Sequence, residues 1–211
     1  LNRIPDYNES RVKNRELSTI NRINRLIGRN FYIKKNPDAY GWDSVVYGLN
    51  KTSDGSASWD FYGYIELEHA DRGSADAYKN RKWYPEWRLL AKKFFVKRED
   101  GSLSNEIKKN IDRCLYLKYT FDFQLSFIIP MDHALEVGVL RKNLKHSNGK
   151  NFYDSYKKYQ QIYIAIDPDN FITEEGDNVL TKNDACIDYI QEFFSSKEPL
   201  KLGKKRRKVK E

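Results

Sequence analysis

The spacing of apolar positions changes several times along this chain, and each change marks an element. Residues 9–28 carry Val12, Ile20, Ile23 and Ile27 at helical spacing, and Gly28 is a natural stop, so a helix is predicted there. Phe31-Tyr32-Ile33 follow, then a loop through Asn36-Pro37-Asp38. Residues 42–50 (WDSVVYGLN) and 58–69 (SWDFYGYIELEH) read as strands, and Asp54-Gly55 between them signals a hairpin. Residues 70–84 form a polar loop or short helix. Pro85 suits a first helical turn, so a helix is predicted over 85–98 (PEWRLLAKKFFVKR). A short helix is expected over 104–113, β-structure over 116–129, a turn over 130–133 and a strand over 134–140. A polar, basic excursion occupies 141–160. Residues 161–166 (QIYIAI) make a short strand ended by Asp167-Pro168-Asp169-Asn170, and 181–195 a closing helix. This order predicts an α/β fold, a mixed central sheet flanked by helices.

Length and composition fit one domain over residues 1–200, with a basic tail over 201–211 expected to be disordered. Charge is distributed in blocks. The tail holds seven Lys/Arg and one Glu, a net +6 of the chain's +8. Residues 1–35 carry nine basic and three acidic groups, 36–77 two basic and eight acidic, and 78–98 eight basic and one acidic. An acidic island between basic segments suits a cation-holding pocket beside a polyanion-binding surface. Residues 164–200 are acidic again, with nine Asp/Glu against two Lys/Arg, and should face away from nucleic acid.

Cys114 and Cys186 stand far apart without a CxxC spacing, which argues against a zinc site and a disulfide scaffold. No apolar run suits a signal peptide at the start of this sequence or a membrane span anywhere in it. The expected location is intracellular and cytoplasmic, or nuclear in a eukaryotic host, because Lys204-Lys205-Arg206-Arg207-Lys208-Val209 is similar to a nuclear localisation signal.

The candidate chemistry lies on the second predicted strand. Alternation puts Trp59, Phe61, Gly63, Ile65 and Leu67 on one face and Asp60, Tyr62, Tyr64, Glu66 and Glu68 on the other. With Asp54 and Gly55 as the two central turn residues, Asp43 stands opposite Glu66, and Asp60 opposite Leu49. Asp43, Glu66 and Glu68 then converge on one patch, with Asp38 as the next candidate. With nothing local to neutralise them, these hard oxygen donors call for a cation such as Mg²⁺. Glu16 falls on the apolar stripe of the first helix, where a carboxylate needs a charged partner.

Gly41-Trp42-Asp43 entering a strand, followed by Tyr64-Ile65-Glu66-Leu67-Glu68, resembles the PD-(D/E)xK nuclease superfamily in its ExE variant. The resemblance covers roughly residues 9–98 and implies a restriction-endonuclease-like fold and hydrolysis of phosphodiesters with Mg²⁺ or Mn²⁺. It implies DNA as substrate without excluding RNA, needs no membrane, and admits a homodimer. Asp43, Glu66 and Glu68 match the metal-binding carboxylates, with Glu68 standing where the family usually has lysine. Glu16 matches an acidic residue on a preceding helix. The missing lysine's role is assigned to Lys79 or Lys82.

The segment Tyr78-Lys79-Asn80-Arg81-Lys82-Trp83-Tyr84 suits substrate contact, with Lys79, Arg81, Lys82 and Arg88 as nucleic-acid-binding cations or, equally, a solvated face. Trp83 and Trp87 read as core. His69 reads as a packed residue at a strand end, and His133 and His146 fall in turns or loops. Two rival readings stand beside the nuclease: a non-catalytic nucleic-acid-binding module, and a structural protein with an acidic strand face.

Overall fold

The computed structural model describes residues 6–36, 41–51, 53–70, 72–80, 86–100, 102–120, 122–141, 162–176, 179–182 and 184–200, apart from the side chains of 6–14, 72 and 78. Helix α1 (Asp6–Leu26) leads into β1 (Phe31–Lys35), β2 (Ser44–Lys51), β3 (Ala57–Ala70) and helix α2 (Arg72–Lys79). Four strands follow: β4 (Trp87–Leu90), β5 (Phe95–Lys97), β6 (Leu103–Ile107) and β7 (Cys114–Thr120). Then come β8 (Leu125–Pro130), helix α3 (Met131–Val137), β9 (Val139–Arg141), β10 (Tyr163–Ile166), β11 (Ile172–Glu175) and helix α4 (Ala185–Ser195). Among the described residues, no helix is long and apolar enough to cross a membrane.

The expected α/β class with a mixed central sheet is observed. Six strands lie in the order β1-β2-β3-β7-β8-β11. The β3–β7 pair is parallel and the others are antiparallel. On one face α1 buries Ile20, Ile23 and Ile27, three positions of a single helical stripe, beside Ile187, Ile190 and Phe194 of α4. On the other face the three-stranded sheet β4-β10-β9 and α3 supply Trp87, Leu89, Ile164, Ile166, Met131 and Ala134 to a second core. Strand β7 feeds both cores, Leu115, Leu117 and Tyr119 to the first and Cys114 and Tyr116 to the second. A strand covered on both faces reads as an almost unbroken apolar run.

Three predicted elements are replaced. The helix over 85–98 is instead β4, a 3₁₀ turn at Ala91–Lys93, and β5. Trp87 to Leu90 pairs with Ile166 to Tyr163, so partners more than seventy positions away override local helix preference. The helix over 104–113 is β6, which pairs with β5, followed by a 3₁₀ turn at Ile111–Arg113. The strand over 134–140 is mostly α3, which buries Met131 and Ala134 before β9 begins. The first helix, the paired strands β2 and β3, the strand at β10 and the closing helix occur close to their predicted places. Trp87 is core, as expected, at 0% exposure.

The β2–β3 ladder contains a compensation that positions the site. Its last pair near the turn is Lys51 with Ala57, leaving a five-residue connection over 52–56 instead of the two-residue turn. Gly55 occupies positive φ there (84°), and Asp54 accepts a hydrogen bond from the Ser56 N–H. The longer loop pairs Asp60 with Gly48 and Leu49 with Trp59, one step from the expected alignment. A β-bulge then inserts Tyr62, since Val46 faces Gly63 while Tyr47 faces Phe61. Beyond the bulge Ser44 pairs with Ile65, which restores the expected register at the acidic end. The bulge also corrects the face assignment. Phe61 packs on Tyr47 and Tyr64, whereas Tyr62 turns to Phe31 and the first core.

Candidate active site

Asp43 sits immediately before β2, where Asn36 and Asp43 continue the β1–β2 ladder through the Asn36 N–H bond to the Asp43 carbonyl (2.9 Å). Two hydrogen bonds lock it to β3. The Asp43 N–H donates to Glu66 Oε2 (3.3 Å), and Asp43 Oδ2 accepts from the Leu67 N–H (2.9 Å). Asp43 and Glu66 are therefore brought together by the strand pairing. Glu66 is buried, at 3% exposure, which for a carboxylate demands compensation.

That compensation comes from cations distant in sequence. Lys93, from the 3₁₀ turn after β4, forms an ion pair with Glu66 Oε1. Glu68 projects from the same face as Glu66, and the parallel ladder sets Tyr116 beside Glu66 and Lys118 beside Glu68. The Tyr116 hydroxyl donates to Glu68 Oε2, and Lys118 Nζ donates to Glu68 Oε1 at 3.1 Å. The Lys118 ammonium also lies 4.6 Å from the Trp87 ring centroid. Nothing local neutralises the acidic patch, as expected; chain folding instead supplies two lysines from distant segments, so the inference that only a cation could do so is corrected.

Glu16 of α1 lies at the margin of this site. It accepts a 2.9 Å ion pair from Lys35 at the end of β1, and its charge raises the Asp43 pKa. Burial is the larger cause of that rise, and it outweighs the opposing attraction of Lys93 and the Leu67 hydrogen bond. Lys108 lies on the other flank, its ammonium 4.8 Å from the Trp42 ring. Burial, then repulsion from Lys93, lowers its pKa.

The nucleic-acid-binding set fares differently. Lys79 on α2 pairs with Glu175 of β11, whereas the lysines paired with Glu66 and Glu68 are Lys93 and Lys118. Arg88 pairs with Glu86 (3.5 Å) and lies 5.3 Å over the Tyr163 ring in the smaller sheet. Arg81, Lys82, Trp83, Asp38 and His146 lie outside the described residues, as does the tail over 201–211. His69 is packed edge-on against Tyr119 (5.8 Å), and His133 begins an exposed pair with Glu136 on α3.

Lys118 carries a signal in the sequence itself. A lysine in the middle of the apolar run Cys114–Thr120 stands on the same alternating face as Tyr116, and an internal strand charge implies a partner. Lys93 offered no such signal, because its segment read as an amphipathic helix.

Among the described residues, the trio with ligand atoms all within 4.8 Å of one another lies elsewhere: Glu174, Asp184 and Cys186. Asp184 there caps α4, accepting from the N–H groups of Leu180, Cys186 and Ile187, and burial pushes the Cys186 thiol strongly up. The Asp43, Glu66 and Glu68 carboxylates are more widely spread, Glu68 being turned toward Tyr116 and Lys118. Comparison with protein-family models, with curated proteins and with solved structures found no match to this chain.

Proposed function

We propose that this chain is a divalent-metal-dependent nuclease with a restriction-endonuclease-like core, cleaving phosphodiester bonds in DNA. The observation that carries the reading is the juxtaposition of Asp43 with Glu66 across the β2–β3 ladder, Glu68 following on the same face. The topology supports it: an antiparallel β1-β2-β3 meander, preceded by α1 and followed by β7 parallel to β3, surrounds these residues.

The donor set fits a hard cation. Asp43 and Glu66 offer carboxylate oxygens, and burial leaves Asp43 short of positive charge even with Lys93 nearby. These two residues would hold Mg²⁺ or Mn²⁺, and a bound ion of this kind polarises a phosphate and acidifies water. Glu68, half-exposed and oriented by Tyr116 and Lys118, is placed to accept a proton from an attacking water. Lys93 supplies positive charge for a phosphate oxygen, the work that the family's usual lysine performs. Glu16 orients Lys35 at the border of the site.

The test is cleavage of supercoiled plasmid, single-stranded DNA and RNA with Mg²⁺ or Mn²⁺ by wild type, Asp43→Ala and Glu66→Ala. Cutting by wild type with loss of at least a hundredfold in both variants supports the reading; equal activity in all three removes the site. The rival is a non-catalytic nucleic-acid-binding module. One observation favours it, namely that Lys93 and Lys118 satisfy Glu66 and Glu68 without any ion. It predicts no cleavage under any of these conditions.

A further inference from the structure

The sheet face bearing Glu66 continues past the site as a row of aromatic rings. Tyr64 precedes Glu66 by two residues and packs on Phe61 (5.0 Å), which packs on Tyr47 (6.2 Å). Tyr47 stands directly opposite Tyr32 in the β1–β2 ladder, and Tyr32 meets Trp59 edge-on at 6.2 Å. Phe61 is buried and Tyr47 and Tyr64 are half-buried, but Tyr32 and Trp59 are 48% and 50% exposed. Two large rings in contact with each other are open to solvent on the face that carries the acidic site.

Charge along the row favours a polyanion. Lys34 is exposed on β1 two residues beyond Tyr32, on the same face, and Lys51 is exposed at the end of β2. At the inner end Lys108 lies over Trp42, whose ring is 6.2 Å from Tyr64. The last described residue also lies here. The Leu200 N–H donates to the Phe61 carbonyl at 2.7 Å, pinning the chain beside the ring row, and the eleven residues that follow carry seven Lys/Arg. A second copy of the chain docked on this face would bring two sets of these exposed lysines, Lys34 and Lys51, together, which repulsion opposes.

Resting on the nuclease reading above, we propose that this face binds unpaired nucleic acid, so that the substrate is single-stranded or locally melted at the site. Tyr32 and Trp59 stack on successive bases, while Lys34 and Lys51 meet the phosphates. A duplex hides its base faces and gains nothing from exposed rings; an unpaired strand offers one at every nucleotide.

The experiment measures binding of the full chain to a fluorescein-labelled oligothymidylate of about twenty nucleotides and to a duplex of equal length, by anisotropy in EDTA. Tighter binding of the oligothymidylate is expected, with quenching of tryptophan fluorescence. Tyr32→Ala combined with Trp59→Ala should weaken single-strand binding roughly tenfold or more and leave duplex binding unchanged. Trp59→Phe should keep most of the affinity, which separates ring stacking from a general effect on folding. Preference for duplex, or unaltered single-strand binding by the double variant, overturns the proposal. So does a double variant that changes only the sedimentation of the protein, because the face is then a self-association surface. Because EDTA removes catalysis from the binding assay, single-strand binding there together with no cleavage in the Mg²⁺ or Mn²⁺ assay would sink the nuclease and spare this face. Cleavage that ignores the two rings would do the reverse.

Discussion

Asp43 shows how a buried carboxylate trades stability for a charged site. Its ordinary value of 3.8 is raised, first by burial and then by Glu16. Between that value and the raised one, the folded chain holds a proton that the unfolded chain has released, so stability falls as pH rises through the window and stays reduced above it. Asp43→Asn is therefore expected to raise the Tm at about pH 7, with the gain shrinking as pH is lowered toward about 4. Thermal unfolding followed by circular dichroism checks both the sign and the trend, and an Asn variant with a lower Tm at neutral pH would contradict it. Glu66 presents the opposite case, since its partner is in place. Lys93→Met should cost about 1–3 kcal/mol in urea unfolding, because it strands a buried carboxylate. Glu66→Gln combined with Lys93→Met should cost clearly less than the two single changes added together. Additive costs would mean that the pair contributes nothing.

The strand pair β2–β3 carries the site, and its bulge is the feature that aligns it. Between Ala57 and Ile65, Tyr62 is the residue of β3 that faces no partner on β2, so deleting it should leave Asp43 opposite Glu66. Metal-dependent cleavage is expected to survive that deletion, although the lost packing on Phe31 lowers stability. Inserting a single alanine after Tyr64 should have the reverse effect. It moves Glu66 and Glu68 to the helix-covered face, and cleavage should be lost. Equal outcomes in the two variants would break the register argument. Gly63 shows how tightly the bulge is seated, because a Cβ there would lie 2.2 Å from the Arg113 carbonyl oxygen and 3.0 Å from the Phe194 ring. Gly63→Ala should cost about 1–3 kcal/mol, measured by urea unfolding.

Across the molecule, charges of opposite sign meet from segments far apart in sequence. Acidic residues of β3 meet lysines from β7 and from the turn after β4, while the strongest basic run follows Leu200. Removing residues 201–211 takes seven Lys/Arg from the chain, so its binding to nucleic acid should show a shallower dependence on salt. Plotting log affinity against log salt for the full and shortened chains tests this, and identical slopes would show that the run makes no phosphate contact.

Patterns that act among near neighbours were legible directly. The Ile20, Ile23 and Ile27 stripe marked α1, Asp54-Gly55 marked the reversal between β2 and β3, and alternation put Glu66 and Glu68 on one face. The pairing of Asp43 with Glu66 was also reached, but through two departures that offset each other, a five-residue loop and the Tyr62 bulge. Other features depend on partners far along the chain. Strand β4 exists because β10 pairs with it, and α3 because Met131 and Ala134 fill the second core. Lys93 and Lys118 reach the carboxylates only after β7 has lain parallel to β3 and the segment after β4 has turned back over the sheet. Periodicity and turn chemistry are local and can be read in a window of residues. Strand partnership and charge compensation are settled by which distant segments bury each other, and no single window contains both partners.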